Sequence, residues 1–241
     1  MTTPAEQVAA AERLPLPSGG DEQFAGYGIM GQPFRSGHVL AMRRFPHSSI
    51  GAGYTSIWHC DPDGRWTMWS DVDPSLACPR YFGPALTAAR QSDIDLTWSS
   101  PWSFDVRIEG VLEWHTRLDH TRSTSLMSAI ASRLPTAFWR RDTAVSLMSR
   151  VAGRMLGAGR LRMSGRVPSE QWFRVALRHV WATTDVEATL HGESLGPAGP
   201  IEQQRQLGGF PVPNRGLFAI GQATFESYDP DRHLRATSTS D

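Results

Sequence analysis

The chain has 241 residues with 24 basic and 24 acidic side chains, so its formal net charge is zero. A chain of this length can bury a sizeable core, either as one large all-β domain or as two small ones. General nucleic-acid binders carry a basic surface that pairs with phosphates. The charge balance therefore argues against nucleic acid as a partner.

All 24 basic residues are arginines, because the sequence contains no lysine. This composition excludes a lysine Schiff base and a Walker-type phosphate loop. It also argues against decarboxylases of the acetoacetate type, a β-rich class that needs such a lysine.

The N-terminus and the cysteines bear on location. Cys60 and Cys78 are the two cysteines of the chain, and a single pair without a secretory signal is typical of reduced thiols. The N-terminus has neither the basic start nor the apolar run of a signal peptide, and no stretch reaches membrane-spanning length. We therefore expect a cytoplasmic protein without a transmembrane segment.

Residues 1–22 are mostly small or polar and contain prolines, and residues 233–241 are similarly polar, so we predict that both ends of the chain are disordered. Residues 23–232 are then expected to form a single β-rich domain. The predicted strands are 38–45, 54–60, 65–72, 94–100, 102–108, 111–118, 161–167, 172–184, 186–192 and 217–228. Residues 73–92 and 195–216 are predicted to be long connections.

Tight turns between successive strands predict antiparallel pairing, and the number of strands suits a β-barrel or a β-sandwich. The clearest hairpin turns at Asp61-Pro62-Asp63-Gly64. Gly64-Arg65-Trp66 spells the Gly-x-Trp of lipocalins, but it follows other strands. The lipocalin comparison is thus an analogy of architecture alone.

One stretch interrupts the strands with helical spacing of apolar residues. We predict a two-helix insertion at about 124–156, with one helix over 124–133 and a second over 136–156. Pro135 separates the two, because proline disfavours helix in the residue before it. Gly157 ends the second.

Large aromatic residues indicate where a ligand could bind. The chain has nine tryptophans, and all but Trp139 lie on or beside predicted strands. Such rings fill cores, and they also line cavities for flat or apolar ligands. The binding hypothesis assigns the cavity wall to Trp58, Trp69, Trp114, Trp181 and Phe173.

Alternation along the strand from Trp172 places one apolar set on a single face: Phe173, Val175, Leu177, His179 and Trp181. An imidazole in this set needs a hydrogen-bond partner, and burial would lower its pKa. His179 is therefore either a core histidine whose ring has a hydrogen-bond partner within the protein or a general base in an apolar pocket.

The strand 111–118 carries Glu113 and His115 on its charged face. In a sandwich this face is solvated. In a barrel with a polar lumen the two side chains would form an acid–base pair.

Metal and cofactor motifs are weak. His59, Cys60, His115 and His120 lack the short spacings of metal ligands, so we predict no metal site. The glycine-rich run 26–31 lacks the strand before it and the helix after it that a dinucleotide site requires. We predict no organic cofactor.

Arginines are concentrated between Arg117 and Arg166. This segment contains ten arginines but only two acidic residues, Asp119 and Asp142. This excess is either a solvated helix face or a guanidinium patch for a carboxylate, a phosphate or an anionic surface. Arg140 and Arg141 are the candidate ligand contacts. Peripheral membrane contact and pairing with the acidic segment 185–202 are alternatives.

Two functions of different classes fit these residues. The first is binding of a small apolar or amphipathic molecule in an aromatic-lined cavity. The second is acid–base catalysis without an organic cofactor, such as hydration, isomerisation or cyclisation, with His179 or the pair Glu113 and His115 as catalytic groups. A third hypothesis is an interaction module that uses the arginine-rich helices.

Overall fold

Antiparallel strands dominate the computed structural model, which describes residues 2–13, 16 and 19–234. The strands are β1 (Glu22–Ile29), β2 (Gln32–Pro33), β3 (Val39–Ser48), β4 (Tyr54–Cys60), β5 (Trp66–Ser70), β6 (Ala88–Gln91), β7 (Asp95–Ser100), β8 (Ser103–Ile108), β9 (Leu112–Asp119), β10 (Ser164–Arg166), β11 (Trp172–Leu190), β12 (Glu193–Ser194), β13 (Gln206–Leu207), β14 (Phe210–Pro211) and β15 (Leu217–Phe225). The helices are α1 (Pro4–Ala11), α2 (Pro79–Phe82), α3 (Arg122–Arg133), α4 (Thr136–Trp139) and α5 (Asp142–Met155).

Thirteen of the described strands form one sheet in the order β6-β5-β4-β3-β1-β15-β11-β9-β8-β7, with β2, β10 and β12 along its sides. The end strands β6 and β7 are not joined, so the sheet is open. Its curl brings Trp69 of β5 into the same core as Phe104 of β8 and Trp114 of β9. The fold is an open half-barrel, which confirms the predicted mainly β, antiparallel fold with a helical insertion.

The two faces of the sheet pack against different layers. Phe218 and Ile220 of β15 lie in the inner core, which the concave face encloses. Ala223 and Phe225 of the same strand lie in the outer core, between the convex face and the segments around α2 and β13–β14. A third cluster joins α3, α4 and α5 to the convex face at Leu217. The convex face is therefore largely covered.

The helical insertion lies where it was predicted, but it consists of three helices instead of two. α3 ends at Arg133, before Pro135, as expected. The predicted helix 136–156 is broken in two because Arg141 is extended, with φ −99° and ψ 109°. Asp142 then starts α5 and accepts hydrogen bonds from the guanidinium of Arg174 at 2.7 and 3.0 Å, which anchors the helix to β11.

Two connections differ from the sequence expectation. The segments 172–184 and 186–192 form one 19-residue strand, β11, with register shifts between Leu177 and His179 and between Thr184 and Glu187. The predicted loop 73–92 contains β6, which pairs parallel with β5. Short helical turns lead the chain across the outer core, so that β6 runs in the same direction as β5.

The N-terminal region is ordered where we expected a disordered arm. Pro4 begins α1, and Thr3 and Glu6 form a reciprocal capping box at its start. Val8 is buried in the inner core, and the hydroxyl of Tyr27 donates to Glu12 at 2.8 Å. Helix α1 therefore packs against the inner core. Of the predicted tail, His233 is buried and Leu234 is exposed, and residues 235–241 lie outside the described residues.

Replacing Val8 with aspartate should detach α1 from the inner core. Burial of a valine side chain contributes about 2 kcal/mol, so we expect the free energy of unfolding to fall by about that amount. Urea denaturation measures it. Ala10→Asp, at an exposed position of the same helix, is the matched control and should change stability little. Equal losses in the two variants would mean that α1 does not pack as described.

Candidate functional site

An apolar cavity of about 170 Å³ lies between the convex face of the sheet and its cover. The floor comes from β1, β3, β4, β11 and β15, and the cover comes from α2, α5 and the segments 161–163 and 210–213. Nine aromatic residues line it: Tyr27, Phe45, Tyr54, Trp58, Tyr81, Phe82, Phe173, Phe210 and Phe225. A dry apolar cavity of about 150 Å³ is large enough to hold benzene, so this space suits a small molecule.

Arg43 is, with Arg162, one of the two arginines that line the cavity. Its guanidinium donates to the backbone oxygens of Ile29, Met42 and Met30 at 2.5, 2.9 and 3.1 Å, and it lies 4.7 Å from the ring centre of Trp58. Burial lowers the pKa of Arg43 to about 10, so the side chain remains charged at neutral pH. Among the described residues, no carboxylate forms an ion pair with it.

Two other polar groups of the cavity, on Tyr54 and Cys78, are uncharged at neutral pH. The Tyr54 hydroxyl and the Cys78 sulfur lie 3.5 Å apart in a hydrogen bond. Burial raises the pKa of Tyr54 well above its ordinary value, and burial also raises the pKa of Cys78. The hydrogen bond with Tyr54 and the charge of Arg43 oppose this rise but do not cancel it. Tyr54 and Cys78 therefore do not neutralise the positive charge of Arg43.

The predicted ligand contacts separate into three locations. Trp58 and Phe173 line the cavity. Trp69, Trp114 and Trp181 lie in the inner core on the opposite face of the sheet, away from this cavity. The cavity therefore lies on the convex side of the sheet, opposite the inner core.

Arg140 and Arg141 are exposed between α4 and α5, away from the cavity lining. The acidic segment 185–202 forms no ion pair with the arginine-rich helices among the described residues. Pairing within the chain therefore does not account for the excess of arginine.

The register shift in β11 separates His179 from the cavity. Leu177 pairs with Gly221 and His179 pairs with Ile220, so Arg178 is an extra residue and the alternation reverses. Phe173 and Leu177 face the convex side, whereas Trp181 packs in the inner core. The prediction that these residues share one face is wrong. Burial lowers the pKa of His179, which lies 5.7 Å from the ring of Trp181.

Glu113 and His115 lie on the solvent side of β9 and not in a lumen. Glu113 is exposed, and His115 is bonded through Nδ1 to Asp105 at 2.6 Å, with both side chains partly exposed. The structure thus brings neither residue to the cavity, and the partner of His115 is Asp105 rather than Glu113.

Sequence reasoning missed Arg43, Tyr54 and Cys78. A signal for Arg43 was present: Val39 and Ala41 face the outer core, and alternation along β3 continues this parity to residue 43. An arginine on the face of a strand whose other side chains are apolar and buried is a candidate for a functional cation. Nothing local marks Cys78, which reaches the cavity through the predicted loop.

A second polar cluster lies at the inner core. The Nδ1 atom of His38 and the Nε2 atom of His59 are 2.9 Å apart, and the two rings are stacked. Burial, followed by the charge of His38, lowers the pKa of His59 to about 4. Within residues 2–13, 16 and 19–234, no three His, Cys, Asp or Glu side chains are grouped as a metal site, and Cys60 and Cys78 are free thiols.

Comparisons with known proteins give the following similarities. No protein-family model matches the chain, and no curated protein does. Two solved structures of acetoacetate decarboxylase are similar at a TM-score of 0.44 each. The first, from Legionella pneumophila subsp. pneumophila str. Philadelphia 1, is 10% identical, with 92% of each chain covered. The second is 12% identical, with 93% of each chain covered.

Within the described part of the chain, no helix combines the length and the apolar character needed to cross a bilayer. The sequence contains no lysine, so the Schiff-base chemistry excluded by composition stays excluded.

Proposed function

We propose that the protein binds a small molecule with an apolar body and one oxygen-bearing group, in the cavity beside Arg43. The observation that carries this proposal is a guanidinium without an acidic partner in an aromatic-lined space. Three of its donor contacts go to backbone oxygens, and a guanidinium has five N–H groups, so donors remain for a ligand.

The charge of Arg43 favours a carboxylate over an uncharged group. A charge-assisted hydrogen bond is roughly twice as strong as a neutral one, and the apolar lining reduces screening. The aromatic side chains would contribute affinity for the apolar body by excluding water from it. The expected ligand class is thus small monocarboxylic acids, with neutral analogues binding more weakly.

Binding is better supported than acid–base catalysis. Among the described residues that line the cavity there is no histidine, aspartate or glutamate, and Tyr54 and Cys78 are neutral at physiological pH. A general acid or base works best with a pKa near the operating pH. His179, Glu113 and His115 lie elsewhere, so an enzyme in this cavity would lack the catalytic groups that the sequence suggested.

The test is isothermal titration with hexanoate and hexanol. We expect hexanoate to bind the wild-type protein more tightly than hexanol. Arg43→Gln should weaken hexanoate binding about tenfold and leave hexanol binding nearly unchanged, because it removes one charged hydrogen bond. Arg107→Gln, at an exposed arginine of β8, is the control. Equal affinity for the two ligands in the wild type would refute the role of Arg43.

A further inference from the structure

A groove lined by four arginines adjoins the apolar cavity. Arg150, Arg154, Arg160 and Arg162 line it, together with glycines 153, 157 and 159, and its volume is about 870 Å³. We call it the arginine groove. Leu161, Arg162 and Pro211 line both the groove and the cavity, so the two spaces share a wall.

The charge of the arginine groove is uncompensated. No aspartate or glutamate is among its described lining residues, and Asp142, the acidic residue of α5, is bonded to Arg174. Of the four arginines, Arg162 donates to the backbone oxygen of Arg166 at 3.5 Å, and none forms an ion pair among the described residues. Like charges so close together repel one another unless an anion lies between them.

Local structure fixes the backbone at these four arginines. Arg150 and Arg154 are four residues apart on α5 and so lie on one face of the helix. The following segment turns back at Gly157 and Gly159, which have φ of 61° and 73°. The Gln204 amide then holds Arg160 by two hydrogen bonds of 2.8 Å to its backbone N–H and oxygen. The groove is therefore held in place without its ligand.

We propose that the arginine groove binds the phosphate of an organic phosphate whose apolar part occupies the cavity. This proposal rests on the proposed function, because it assumes a ligand in the cavity and assigns the other end of that ligand to the groove. A phosphate monoester carries up to two negative charges and three acceptor oxygens, which suits several guanidinium groups better than a monocarboxylate does. The oxygen-bearing group beside Arg43 would then be the inner end of the ligand.

Three soluble probes test the proposal by isothermal titration: hexyl phosphate, hexanoate and inorganic phosphate. We expect hexyl phosphate to bind more tightly than either of the others, with an affinity that falls as salt is added. Arg154→Gln and Arg160→Gln should each weaken hexyl phosphate binding about tenfold. Arg133→Gln, at an exposed arginine of α3 outside the groove, should not.

The outcomes separate the two proposals. If hexanoate binds and depends on Arg43 but hexyl phosphate binds no more tightly, the cavity proposal stands and the groove proposal is wrong. If hexyl phosphate binds only as well as inorganic phosphate, the groove does not act together with the cavity and the inference fails.

A membrane headgroup is the other source of phosphate. Cosedimentation with phosphatidylcholine vesicles, with and without phosphatidylglycerol, distinguishes it. Binding only to the phosphatidylglycerol vesicles, lost in Arg154→Gln and without binding of hexyl phosphate in solution, would overturn the proposal in favour of a membrane contact.

Discussion

Gly28→Ala should lower the free energy of unfolding by more than about 3 kcal/mol, an effect beyond that of most single substitutions. A β-carbon at this position would lie 1.9 Å from the backbone oxygen of Met42. The clash is with main chain of the neighbouring strand β3, so no side-chain rotation relieves it, and the strands would have to separate. Urea denaturation followed by circular dichroism measures the loss.

The control for this substitution is Gly20→Ala, because no atom lies within 4 Å of a β-carbon built at Gly20. We expect its stability to remain close to that of the wild type. A Gly28→Ala protein as stable as Gly20→Ala would show that β1 and β3 do not approach as closely as described.

The second large effect is a decrease in the free energy of unfolding at low pH, where His59 becomes protonated. Burial lowers the pKa of this histidine to about 4, below the value of about 6.5 for an unfolded histidine. Its neutral form is therefore favoured in the folded state, and its stabilising contribution is complete above pH 6.5. That contribution is lost as the pH falls from about 6.5 to about 4, and it amounts to about 3 kcal/mol.

Charged neighbours modify this titration. Asp61 raises the pKa of His59, whereas His38 and His191 lower it. Burial also lowers the pKa of His38, so this residue contributes in the same direction. His59→Gln should lower stability at pH 8 through lost packing, but it should lose less further stability between pH 7 and pH 5 than the wild type. Denaturation curves at the three pH values test this, and parallel losses in both proteins would contradict it.

Local patterns in the sequence predicted much of the fold. The turn at Asp61–Gly64 gives the β4–β5 hairpin, and Pro135 ends α3, because in both cases the residues next to one another in the chain determine the geometry. The absence of strand–helix alternation predicted an antiparallel sheet. β5 and β6 are the parallel exception among the described pairs, and this pair depends on how a long connection packs.

The candidate site was harder to predict, because it depends on contacts that are distant in sequence. The extra residue at Arg178 reverses the faces of β11, and strict alternation cannot show such a shift. The inner and outer faces of the sheet are both apolar, so composition did not tell which of them borders a cavity. Trp58 and Phe173 line this cavity, although the sequence analysis assigned them to the interior of a barrel, and Arg43 was not singled out.

The cavity has a floor and a cover of different construction. The floor is hydrogen-bonded sheet, whereas the cover is formed by helices and short connections at residues 78–82, 152–163 and 210–213. Displacement of a cover segment would admit a guest without breaking a ladder of the main sheet. Under the proposed function, changes in the cover would therefore alter which ligands fit while the sheet that determines the fold stays the same.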